Sequence, residues 1–202
     1  MAIAHGGIPE GLAASLSIPN EARAIVVFAR ASAENTASAR LRYFADRLNE
    51  ARYATLVVDL LARWEARIDR VTAEYRFDIQ LLAQRLVHAT KRVHASFANA
   101  PLPIAYLGLG TGAAAALVAA AIHPKAIYAV VSRDGRPDLA GGALPRVAAP
   151  VLLIVSPGDS RTSARNQDAQ RAMQCRNELR LASNEAPALA ADWFGQALGI
   201  EP

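Results

Sequence analysis

Short apolar runs alternate along the chain with longer stretches whose apolar residues recur at helical spacing. That is the pattern of βαβ units and a parallel sheet. Ala24-Ile-Val-Val-Phe-Ala29 is continuously apolar and rich in β-branched residues, so it predicts a buried strand. Ala54-Thr-Leu-Val-Val-Asp-Leu60, Ile104-Ala-Tyr-Leu107, residues 126–131 and Val151-Leu-Leu-Ile-Val155 predict four more, and residues 178–181 a short sixth. An antiparallel edge strand is expected near residues 12–18. Helices are expected over 37–51, 77–97, 111–122, 162–175 and 187–198, and a loop over 145–150. Leu41, Phe44, Ala45 and Leu48 define the apolar face of the first, and Phe77, Leu81, Leu82, Leu86 and Val93 that of the second.

Residues 62–76 break the pattern. Arg63, Glu65, Arg67, Asp69, Arg70 and Glu74 surround a lone Trp64. The stretch reads as a surface excursion or a charged extension of the next helix, and its charge density favours a solvated face.

Neither an internal repeat nor a low-complexity linker is evident, and 202 residues fit one domain, 1–202. Hydrophobic residues at 52% and charged residues at 20% exclude wholesale disorder. The single cysteine, Cys175, excludes a disulfide framework within the monomer and a multi-thiolate zinc site. On a predicted helix it reads as a small buried hydrophobe. No metal or cofactor is expected. The net charge of +4 comes from 20 Arg and 2 Lys against 18 acids, with 45 Ala, a bias of base composition more than of nucleic-acid binding. The arginines interleave with acids and form neither a stripe nor an aromatic platform, so no nucleic-acid partner is expected. The most apolar helix, 111–122, is too short to span a bilayer, so no membrane partner is expected. The amino terminus, with His5, lacks the charge and apolar regions of a signal peptide, so the expected location is the cytoplasm.

The most informative stretch is Ile104-Ala-Tyr-Leu-Gly108-Leu-Gly110-Thr-Gly112-Ala-Ala, a strand entering a glycine-spaced turn and an alanine-rich helix. Two functional readings compete. Gly108 and Gly112 frame a nucleophile elbow, G-x-S-x-G, but Gly110 occupies the nucleophile position and Thr111 follows one residue late. Alternatively, Gly108-x-Gly110-x-x-Ala113 matches a dinucleotide fingerprint, with phosphates at the helix amino terminus and Ser132-Arg133-Asp134 ending the next strand. A third reading needs no ligand: the glycines let strand and helix pack closely.

Several blocks together resemble the dienelactone-hydrolase-like branch of the α/β-hydrolase superfamily, in particular small cap-less members sometimes fused to a phosphoribosyltransferase. They are Gly110-Thr-Gly-Ala-Ala-Ala-Ala-Leu117, Ala129-Val-Val-Ser-Arg133 with Gly135-Arg-Pro-Asp-Leu-Ala-Gly141, Ala149-Pro-Val-Leu-Leu-Ile-Val155, and Ala190-Ala-Asp-Trp-Phe194. The resemblance covers nearly the whole chain. It implies a doubly wound, mostly parallel α/β-hydrolase sheet without a separate lid domain. A phosphoribosyl-pyrophosphate loop is not seen, so the fused half is not expected within this chain.

The resemblance also implies a triad that this sequence breaks. Gly110 stands where the family's serine is expected, and Arg30-Ala31 where a His-Gly pair would build the oxyanion loop. Asp159 in Ser156-Pro-Gly-Asp159 matches the acid. The loop that should deliver the histidine is short, Leu181-Ala-Ser-Asn184-Glu185, and holds none. His88 and His94 fall on a predicted helix, and His123-Pro124 reads as a helix stop.

The degenerate site thus comprises Gly110, Thr111, Asp159 and Asn184. Arg30, Ala31, Ser132, Arg133 and Asp134 end predicted strands, where ligands bind in open α/β sheets, and are ligand-binding candidates. Arg30 offers a planar cationic fork to a small anionic ligand. Asp159 is expected either to cap a turn or to bind a cation. Three functions follow: a catalytically degenerate hydrolase homologue acting as a binding or scaffold protein, with a protein partner, a homo-oligomer or a small anion; a hydrolase of small esters or lactones whose chemistry has moved to Thr111, Ser132 or Asp159; or a nucleotide-binding module using residues 108–113.

Overall fold

The computed structural model describes residues 12–31, 36–97 and 101–199. Its centre is a seven-stranded sheet: β1 (Ala14–Ser17), β2 (Ala24–Arg30), β3 (Tyr53–Asp59), β4 (Ile104–Leu109), β5 (Ile127–Arg133), β6 (Val151–Val155) and β7 (Asn177–Leu181). Their order across the sheet is β1-β3-β2-β4-β5-β6-β7. Only β1 runs antiparallel to its neighbour, as expected for that edge.

Helices α1 (Thr36–Glu50), α2 (Arg63–Thr72), α3 (Glu74–Phe77), α4 (Ile79–Ser96), α5 (Thr111–Ile122), α6 (Ser160–Ala172) and α7 (Ala186–Leu198) connect or follow the strands. Alternation along the buried strands divides the core. Ile25, Val27 and Ala29 join a cluster with Leu82 and Leu86 of α4, Ala114–Leu117 of α5 and Ala169 of α6. Ala24, Val26 and Phe28 join another with Leu41, Phe44 and Leu48 of α1 and Trp193 and Phe194 of α7. The sheet is therefore covered on both faces, which is why its central strands are continuously apolar. Among the described residues no helix is long and apolar enough to cross a membrane.

Residues 62–76 correct the sequence reading. They form the separate helices α2 and α3, and the acids of α2 face inward: Glu65 and Asp69 are buried. Arg85 of α4 donates to both Glu65 carboxylate oxygens at 2.7 Å, and the Ala62 N–H donates to Glu65 Oε2 at 2.7 Å. The N–H and Nε of Arg76 donate to the two oxygens of Asp69 at 2.8 and 2.6 Å. The basic residues keep the expected solvated face, with Arg63, Arg67 and Arg70 exposed, and Trp64, Ile68 and Val71 are exposed among them, Val71 at 89%.

Two further boundaries differ from expectation. The loop expected over 145–150 is partly helical: Pro145 and Arg146 end a 3-10 segment (Pro137–Arg146) interrupted at Gly141, whose φ is 49°. Helix α6 starts at Ser160 and ends at Ala172, so Cys175 lies beyond it, half-buried and free; burial pushes its thiol above the ordinary value.

Candidate functional site

Strand order reverses between β2 and β4: the chain winds from β2 outward to β3, then returns past β2 to β4. A crevice for ligands forms at such a point, outside the carboxyl ends of the strands. The glycine turn sits there. Gly108 ends the buried part of β4, and a Cβ on it would lie 2.3 Å from Ala113 Cα. A Cβ on Gly112 would lie 2.1 Å from the Ala29 carbonyl oxygen of β2. Both glycines are thus required for strand–helix contact, which accounts for the elbow spacing and, of the two glycines in the dinucleotide spacing, for Gly108.

Gly110 differs from these two. It is exposed, its φ and ψ are 55° and −126°, and a Cβ built on it meets nothing within 4 Å among the described residues. Its carbonyl accepts the N–H of Ala113 at 3.2 Å and that of Arg136 at 2.9 Å, which pins the turn. The turn therefore holds the strained backbone of an elbow and leaves room for a side chain at its apex, but glycine supplies none. Thr111, half-buried, is the first residue of α5.

The neighbouring candidates are mostly engaged within the protein. Arg30 ends β2 beside Asp59, its register partner on β3, and its Nε donates to Asp59 Oδ1 at 2.6 Å. The fork read as an anion receptor has found its carboxylate in the chain. Ala31 is buried. Ser132, read as a hydroxyl that might face the crevice, is fully buried, and its Oγ has no hydrogen-bond partner among the described residues; a Cβ on Gly135 would lie 2.2 Å from it. That corrects its place among the ligand candidates: the strand end turns it into the core.

Arg133 lies 2.8 Å from Asp134 without hydrogen-bond alignment. Asp134 adopts φ 45° at the end of β5 and accepts from the Ser156 N–H at 2.6 Å and its hydroxyl at 2.9 Å, tying β5 to the loop after β6. Sequence reasoning missed Asp59, Ser156 and Gly135 as members of this region. Asp59 carried a usable signal, since it ends its strand just as Arg30 ends the adjacent one.

Asp159 serves as the amino cap of α6: its Oδ1 accepts the Thr162 N–H at 2.9 Å, and that bond is the chief cause holding its carboxyl below the ordinary value. The turn-capping expectation therefore holds. Asn184 sits exposed in the four-residue connection between β7 and α7. His88 lies on the solvent face of α4. His94 and His123 line a cavity with Ile104 and Ile127, the first residues of β4 and β5, so they stand at the opposite end of the sheet. His5 falls outside the described residues. Among the described residues no group of three or more His, Cys, Asp and Glu could hold a metal ion.

No protein-family model matches the chain. A crystallised dienelactone hydrolase from Anabaena variabilis is 43% identical, with a TM-score of 0.86 over 94% of each chain. The esterase Est1E from Butyrivibrio proteoclasticus shares the fold at 11% identity and a TM-score of 0.67, over 93% of this chain and 94% of that one. In two strains of Mycobacterium tuberculosis, a protein named "Putative phosphoribosyl transferase" is 42% identical over 198 residues, which is 92% of this chain and 44% of the relative. The chain thus spans less than half the length of those relatives. Identity over nearly the whole Anabaena chain, with the same sheet and elbow turn expected of an α/β-hydrolase, places this protein in the dienelactone hydrolase family.

Proposed function

We propose that this chain is a dienelactone-hydrolase homologue that has lost triad chemistry and serves as a cytoplasmic binding or scaffold protein. The observation that carries the reading is Gly110, a glycine in elbow geometry where, among the described residues, nothing fills the space into which a nucleophile's side chain would project. Acyl transfer by a triad requires a nucleophile, a base to take its proton and donors for the oxyanion, and these act as a unit. Here the apex has no side chain, the connection before α7 presents Asn184 instead of a histidine, and Arg30 is paired with Asp59.

The rival readings have less support. An ester or lactone hydrolase with relocated chemistry loses Ser132 to burial and Asp159 to capping. A nucleotide module has less support because one of its two fingerprint glycines, Gly108, is explained by a close contact and the other, Gly110, by its positive φ at the turn.

Of the partner classes, a protein is better supported than a small anion at Arg30. Trp64, Ile68 and Val71 of α2 are exposed apolar side chains set among the exposed Arg63, Arg67 and Arg70, a mixed surface on which a protein partner would have both apolar and charged contacts. In the Mycobacterium relatives, moreover, the matching region is joined to a longer stretch of other chain. A homo-oligomer formed through the same face is the form that light scattering reads directly.

The enzymatic half of the proposal is tested by intact-mass analysis after exposure to a fluorophosphonate probe, with a chromogenic short-chain ester assay alongside. No adduct and no turnover above buffer are expected. A stoichiometric adduct with turnover overturns the reading, and peptide mapping would then locate the substitute nucleophile.

A further inference from the structure

We propose that the protein binds small amphipathic carboxylates in a cavity at the amino-terminal end of the sheet, a site separate from the elbow. The cavity is about 480 Å³ and lies between the end of α4, the α5–β5 connection and the first residues of β4 and β5. That volume falls within the range of small-molecule sites. Ile104 at the start of β4 lines it, whereas Gly110 follows the end of the same strand. Six residues of strand put about 20 Å between the two.

The lining divides by chemistry. Val87, Ile104 and Ile127 make an apolar floor with the ring of Tyr106. The tyrosine's proton is already spent. Thr90 Oγ1 lies 2.8 Å from the Leu86 carbonyl and can only donate there, so the 2.9 Å bond between Thr90 and Tyr106 is donated by the tyrosine. Burial pushes the Tyr106 phenol up to about 12, so it stays neutral. The floor therefore suits a hydrocarbon body and presents no free donor for a sugar or a base.

The rim is cationic or titratable. Lys91 and His94 come from the last turns of α4, and His123 and Lys125 from the α5–β5 connection. None of the lining residues is acidic. The chain has 20 Arg and only 2 Lys, and both lysines are at this cavity. An ammonium is a compact charge on a flexible stem that follows a head group to the cavity mouth. Apolar floor and cationic mouth together specify an anionic head on an apolar body, and a monocarboxylate is its simplest form.

The test is calorimetric titration of the full chain with octanoate and with octan-1-ol. Octanoate is expected to bind one to one, and octan-1-ol about tenfold more weakly or not at all. Charge reversal at both exposed lysines, Lys91→Glu with Lys125→Glu, is expected to weaken octanoate about tenfold or more. The matched reversal Arg67→Glu with Arg70→Glu on α2 changes net charge equally and is expected to leave affinity within about twofold. Absence of octanoate binding overturns the proposal. So does equal affinity for the alcohol, which would mean an apolar cavity without anion recognition. Binding that the lysine reversals leave unchanged also overturns it, because the ligand would then sit elsewhere.

Discussion

Arg30 and Asp59 are register partners at the carboxyl ends of β2 and β3, joined by a 2.6 Å hydrogen bond from Nε to Oδ1. Their side chains are 16% and 32% exposed, so the pair is half sheltered at the crevice rim. In the family resemblance, Arg30 occupies a place where an oxyanion loop begins; here its charge is consumed by a neighbour. A double-mutant cycle with Arg30→Met and Asp59→Asn is expected to give a coupling of about 1 kcal/mol in urea denaturation, the upper end for a partly exposed pair. A coupling near zero would mean that the guanidinium is not held by Asp59 in solution.

Gly108 and Gly112 make the second prediction. A methyl on either would enter backbone: 2.3 Å from Ala113 Cα for Gly108 and 2.1 Å from the Ala29 oxygen for Gly112. Neither obstacle is a flexible side-chain end that could swing aside. Each alanine variant is expected to lose at least about 3 kcal/mol of stability or fail to fold. Gly142→Ala, where a Cβ meets nothing within 4 Å, should stay within about 0.5 kcal/mol. Thermal melts of the three variants decide it. If Gly108→Ala were as stable as the parent, the glycine spacing would again need a ligand to explain it.

Much of this fold was legible because its demands are local. The run at Ala24–Arg30 is buried on both faces, so nearly every residue in it had to be apolar. The elbow was legible for a similar reason, since tight strand–helix contact requires small residues at Gly108 and Gly112 wherever it occurs. What escaped was set by distant partners. Glu65 and Asp69 look solvated until Arg85, twenty residues on, and Arg76 are brought beside them. Ser132 ends a strand like Arg133, but only the alternation of faces sends one hydroxyl into the core. The 3-10 segment, with Gly141, Gly142 and Pro145, carries no helical period to read.

Helix α2 reverses the usual rule for surface helices, and its substitutions should reverse too. Val71→Glu places a charge on an exposed site and is expected to change stability by no more than about 0.5 kcal/mol. Glu65→Gln breaks a buried, doubly hydrogen-bonded pair and is expected to cost on the order of 3 kcal/mol. The same pair gives a pH dependence. The hydrogen bond from Arg85 is the chief cause holding the Glu65 carboxyl below its ordinary value. Its folded-state value is depressed, so the contribution is present above the unfolded glutamate value of about 4.3 and is lost as pH falls through the folded value. The stability gap between the parent and Glu65→Gln should therefore be constant near neutrality and narrow in acid. Urea midpoints at pH 7 and at successively lower pH measure it, and a gap independent of pH would remove Glu65 as the linked group.

Gly110→Ser restores the missing hydroxyl at the place the backbone keeps for it. The side chain has room, since none of the described residues lies within 4 Å of the added Cβ. The cost is conformational, because a residue with a Cβ must hold φ 55° and ψ −126°, a strain of about 1–3 kcal/mol. The variant is expected to fold with a lowered melting temperature and to show no ester turnover. An unactivated serine hydroxyl at neutral pH is a weak nucleophile, and the described histidines lie on the solvent face of α4 or at the far end of the sheet. Adding Asn184→His to Gly110→Ser is the more demanding experiment. It puts an imidazole into the connection where the family resemblance expects the base, while Asp159 remains spent on the α6 cap. With the base oriented by nothing, the double variant is expected to label slowly with fluorophosphonate and to turn over esters far below a complete triad. Rapid turnover by Gly110→Ser alone would reveal a proton acceptor already poised at the crevice, and the protein would then be one substitution away from catalysis instead of several.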